Sequence, residues 1–77
     1  MSDQLADITM HIDENTTHDD RERLRDELLR IDGVMSASYH DEKPHLIVMA
    51  YDPDVVNSLA FVKTAQEQGL HAELVGL

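Results

Sequence analysis

Between Ile8 and Val75 the apolar residues switch four times between a strand's period of two and a helix's period of about 3.6, and this order of periods restricts the fold more than any other feature. Ile8, Met10 and Ile12 alternate with Thr9, His11 and Asp13, which predicts a first strand over residues 7–13 with one buried face. A polar stretch from Glu14 follows, in which Thr17 and Asp20 stand at capping-box spacing, so a helix is expected from about His18. Its apolar stripe is Leu24, Leu28 and Ile31, widened by Leu29. Asp26 with Arg30, and Arg23 with Glu27, have the spacing of ion pairs on its outer side. Gly33 sits where a helix C-terminus is usually closed.

From Val34 alternation returns, with Ala37 and Tyr39 on one side and Ser36, Ser38 and His40 on the other, giving a second strand. Residues 41–44 read as a turn, and Leu46–Tyr51 as a third, central strand ended by Pro53. A second helix is expected from about Val55 to Gln68, with Leu59, Val62 and Ala65 as its stripe, Phe61 beside them and Gly69 as its stop. His71–Val75 completes the set as a short last strand. The order βαββαβ predicts a ferredoxin-like α+β sandwich: a four-stranded antiparallel sheet with two helices on one face. Residues 1–77 form one domain on this reading, ordered over about 7–76, with 1–6 a flexible N-terminus.

Composition narrows the function. Sixteen acidic against six basic residues leave a net charge of -10, which repels phosphate backbones and anionic membrane surfaces. No apolar run approaches the roughly 18 residues of a membrane span, and the N-terminus lacks the basic and apolar regions of a secretory signal, so a cytoplasmic protein is expected. The chain has no cysteine, hence no disulfide, thiolate ligand or thiol nucleophile. It has three glycines and no phosphate-binding loop, and no nucleophile motif stands beside a base. An enzyme is not expected.

Over Ile8–Val75 the sequence resembles the heavy-metal-associated domain of copper and zinc chaperones and of metal-pumping ATPases. The matching residues are Ile31, Asp32, Gly33 and Val34, where that family has Leu-Pro-Gly-Val, then Tyr51, Asp52 and Pro53, and finally Gly69 with Ala72, Glu73 and Leu74. The family's metal loop is Gly-Met-Thr-Cys-x-x-Cys. The corresponding window here is Glu14 to Asp20, where only Thr16 matches and the two cysteine positions hold Thr17 and Asp20. The resemblance therefore implies the scaffold, and the family's habit of docking onto a protein partner, without two-thiolate exchange of Cu(I) or Zn(II).

Two functional readings follow. In the first, the chain is a non-enzymatic contact module. Ile47, Met49 and Tyr51 face the helices, and Leu46, Val48, Ala50 and Val75 form an aliphatic row on the open sheet face, available to a protein partner or a second copy. In the second, five histidines and many carboxylates bind Zn, Ni, Cu(II) or Co in metal transport or homeostasis. Strand parity places His11 and Asp13 beside His71 and Glu73 on the open face, with His18 at the same end of the sheet. The plain alternative is that a one-sided sheet shows polar residues to solvent, and that His40 and His45 merely flank a solvated turn.

Overall fold

The computed structural model describes residues 4–75. Met1–Asp3, within the stretch expected to be flexible, and Gly76 and Leu77 lie outside the described residues, whereas Ala6 already opens the first strand. The elements are β1 (Ala6–Ile12), α1 (His18–Leu29), β2 (Val34–Tyr39), β3 (Leu46–Tyr51), α2 (Leu59–Glu67) and β4 (Ala72–Val75). They make one antiparallel sheet in the order β2-β3-β1-β4. No helix among the described residues is long and apolar enough to cross a membrane.

Alternation determines which face of each strand is covered. Ile8, Met10 and Ile12 of β1 and Ile47 and Met49 of β3 are buried against Leu24 and Leu28 of α1 and Phe61 and Ala65 of α2. Tyr51 meets Phe61 edge-on, with ring centroids 5.0 Å apart. α1 starts as its cap predicts: the Asp20 amide donates to Thr17 Oγ1 at 3.1 Å, and the Thr17 amide donates to Asp20 Oδ2 at 2.9 Å.

Gly33 joins the two halves of the chain. Its φ is +97°, and a Cβ there would lie 2.9 Å from both Cβ and Cγ1 of Val55. Its carbonyl accepts the Asp52 amide at 2.7 Å. Asp52 is itself buried and turns the chain back: Oδ1 accepts the Asp54 amide at 2.9 Å, and its carbonyl accepts from Val55 and Val56.

Several expectations need correction. α2 begins at Leu59 rather than Val55, because the Asp52 turn uses Val55 and Val56 to cover Gly33. The helix phase changes accordingly: Phe61 and Ala65 are buried, Val62 is half-buried, and Leu59 is 67% exposed. Leu29 is likewise exposed, and the residue that completes the buried stripe of α1 is Arg21. The expected Asp26–Arg30 and Arg23–Glu27 pairs give way to Arg25 with Glu22 at 2.8 Å and Asp26 at 3.0 Å, and Arg30 with Glu27 at 3.3 Å. β4 begins at Ala72, so His71 precedes the strand.

Candidate functional site

The turn from β1 into α1 (residues 13–17) is built around a buried arginine. Arg21 is one turn into α1, in line with Leu24 and Leu28, and is only 6% exposed. A guanidinium so placed is stable only if its donors are satisfied. Nη1 donates to the Thr16 carbonyl at 2.7 Å and to Thr16 Oγ1 at 2.9 Å, and Nη2 donates to Asp41 Oδ1 at 2.9 Å. Thr16 Oγ1 in turn donates to the Pro44 carbonyl at 2.9 Å. His18 Nδ1 donates to the same Asp41 carboxylate at 3.0 Å. The turn is thereby tied to the hairpin between β2 and β3.

A second pair closes the same turn from the other edge. Glu14 accepts from the His71 amide and from His71 Nδ1, while the Asp13 amide donates to the His71 carbonyl at 2.9 Å. Hydrogen bonds from His18 and then Arg21 hold the Asp41 carboxyl below the ordinary carboxylate value. The Asp41 contact raises the His18 imidazole, and Glu14 and His71 shift each other in the same two directions.

The raised imidazoles contribute stability at pH below their unfolded value and lose it as pH rises through the folded one. The lowered carboxylates contribute above their unfolded value, near pH 4, and lose it as pH falls through the folded one. The turn is therefore held most firmly from about pH 4.5 to about 6.5, and the histidine share is lost as pH rises from there through the raised values. In an NMR titration, His18 and His71 should titrate above 6.5. Asp41→Asn should lower only the His18 midpoint and Glu14→Gln only that of His71; unchanged midpoints would mean these contacts do not persist in solution.

The open face presents a different surface. Pairing aligns Ser38, Val48, Thr9 and Val75 in one row across the sheet, with Leu46, His11 and Glu73 in another and Ser36, Ala50 and Asp7 in a third. Val48 and Val75 are each 46% exposed. At the second row, His11 and Glu73 are joined by Asp13, just past the end of β1, and the three each offer a ligand atom within 4.8 Å of the others. His71 and His18 do not join them, since Glu14 and Asp41 engage those rings. His45, which the sequence placed in solvent, is part-buried: its Nδ1 donates to the Ile12 carbonyl at 2.7 Å, and its ring stacks on His11 with centroids 5.8 Å apart.

No family model matches the sequence, and no curated protein matches it. Solved structures do match. The N-terminal domain of a potential copper-translocating P-type ATPase from Bacillus subtilis, in its Cu(I)-loaded state, aligns with a TM-score of 0.85 and 18% identity over 95% of this chain and 90% of that one. MerP from Ralstonia metallidurans gives 0.82 and 13% over 92% and 97%. The CopZ metallochaperone gives 0.79 and 19% over 88% and 100%.

The turn between β1 and α1 does not fit a soft ion such as Cu(I). Thr17 and Asp20 offer oxygens rather than thiolates, those oxygens are bonded to each other's amides, and the Arg21 guanidinium brings positive charge beside them. What the comparison shows is the fold of heavy-metal-associated domains, carried by a chain without cysteine.

Proposed function

We propose that the chain is a non-enzymatic contact module that docks a protein partner on its uncovered sheet face. The row Ser38–Val48–Thr9–Val75 carries this reading. It crosses all four strands with no side chain larger than valine, leaving a smooth strip on a protein whose residues are 29% charged. A stable partner surface needs such a dry, flat centre with polar groups at its rim. Leu46 and Ala50 extend the strip, and Asp7 and Glu73 border it.

The charge indicates which partner fits. Two copies packed face to face would oppose these carboxylates across the interface, each copy carrying -10 overall, so the strip suits a different protein with an apolar centre and a basic rim. A catalytic role is disfavoured by the interior. Its nine buried apolar residues fill it, and the buried polar residues, Arg21 and Asp52, are held in structural hydrogen bonds.

A photo-crosslinking residue placed at position 48 or 75 in the producing cell tests the reading. A discrete protein adduct should form from both positions and not from position 63 on α2, and Val48→Glu should abolish the adduct formed at 75. The same adduct from position 63, or none from the sheet face, rejects the docking surface. Sedimentation should show a monomer at all concentrations; a dimer removed by Val48→Glu would make the occupant a second copy.

A further inference from the structure

We propose that His11, Asp13 and Glu73 form a binding site for one hydrated divalent cation of the first transition row, with Zn(II) and Ni(II) as the probes that define it. The site lies on the open sheet face, apart from the turn where relatives of this fold would carry thiolates. It is independent of the docking reading.

Backbone register creates the site. His11 and Glu73 are directly paired across β1 and β4, and Asp13 follows His11 by two residues on the same face, its amide held by the His71 carbonyl. His11 Nδ1 is screened from solvent and makes no hydrogen bond, while the side chain as a whole is 38% exposed at the edge of the site. Nδ1 lies 3.4 Å from Asp13 Oδ1, too far for a good hydrogen bond. Two donors each about 2.1 Å from a shared ion at the tetrahedral angle are separated by about 3.4 Å. The spacing therefore suits a chelated ion.

Charge and neighbours favour the same occupant. Among the described residues, no arginine or lysine ion pair involves Asp13 or Glu73; the arginines in ion pairs serve Asp41 or the acids of α1. The stacked ring of His45 limits rotation of His11. Because the Ile12 carbonyl can only accept, His45 carries its proton on Nδ1 when neutral, which makes Nε2 the acceptor nitrogen. A ring anchored in this way is the usual state of a histidine at or beside a metal. One imidazole and two carboxylates, with water completing the shell, select borderline first-row ions over Cu(I).

Amide NMR titration of the full chain with Zn(II), then Ni(II), tests the proposal. Shifts, or broadening with Ni(II), should saturate near one equivalent and be confined to the amides around His11–Glu14, His45 and Ala72–Glu73. Asp13→Asn with Glu73→Gln, which keeps side-chain shape, should weaken binding at least tenfold, as should His11→Gln. Glu14→Gln and His18→Gln should leave it within twofold. The metal-free spectrum of each variant reports folding, so loss of binding is separable from loss of structure. Shifts that grow without saturation over all the carboxylates, or equal affinity in the Asp13→Asn/Glu73→Gln protein, would overturn the site. Val48→Glu should leave the titration unchanged, which keeps this outcome separate from that of the docking test.

Discussion

Thr17→Cys together with Asp20→Cys should give the β1–α1 turn a site that binds a single Cu(I) ion tightly enough to take it from a chromogenic chelator. The two positions are the N-cap and third residue of α1, adjacent on one turn, so their side chains already converge. Thiols at a helix N-terminus beside a guanidinium ionise more readily, and Arg21 is anchored in that turn by Thr16 and Asp41. Stability should move the other way. Removing both halves of the capping box costs about 1–2 kcal/mol, read as a lower urea midpoint in the metal-free variant and recovered when Cu(I) is added. A variant that folds but leaves all copper with the chelator would show that the turn does not bring two thiolates to the spacing a shared ion needs.

The second large effect concerns Gly33. Gly33→Ala should destabilise the fold by about 2–5 kcal/mol in equilibrium unfolding, through two contributions. An alanine forced to a φ of +97° costs about 1–2 kcal/mol, and its methyl would enter the space of the Val55 and Val56 side chains, which overpacking data put at about 1–3 kcal/mol. Gly69→Ala is the control. Its φ is +84°, but nothing lies within 4 Å of a Cβ there, so only the conformational cost of about 1–2 kcal/mol applies. Equal losses at both sites would mean that Val55 moves aside and that the contact between Gly33 and the Asp52 turn does not hold the two halves together.

The strands, their order and the start of α1 were legible because each rests on local chemistry: alternation in β1 and β3, and the Thr17–Asp20 box. The start of α2 was not. Val55 and Val56 look like the first apolar residues of a helix, yet the Asp52 carboxylate turns the backbone there, and a helix begun four residues too early assigns Leu59 to the core along with Phe61. Arg21 illustrates another limit. Its spacing to Leu24 and Leu28 marks it as part of the buried stripe, but the rule that arginine stays in solvent outweighs that signal until Thr16 and Asp41 are seen to satisfy it.

In the candidate metal cluster, parity alone put His11, Asp13 and Glu73 on one face. Strand register and boundaries, which sequence does not supply, separate His71 from them. The anchoring of His45 on the Ile12 carbonyl joins residues far apart in the chain, and no local pattern announces it.

The sheet order has a consequence for how the chain reaches this structure. β1 lies in the centre, but both of its neighbours come later: β3 pairs Met10 with Ile47, and β4 pairs Thr9 with Val75. As the chain emerges from a ribosome, α1 and the β2–β3 hairpin can form from neighbouring residues, while one flank of β1 remains an unpaired ladder until the final strand is made. Folding to completion is therefore a late event dominated by contacts between distant residues, which is the slow regime for a small domain. Before that point, the fifteen acidic side chains that precede β4 provide the mutual repulsion that keeps growing chains from pairing edge to edge.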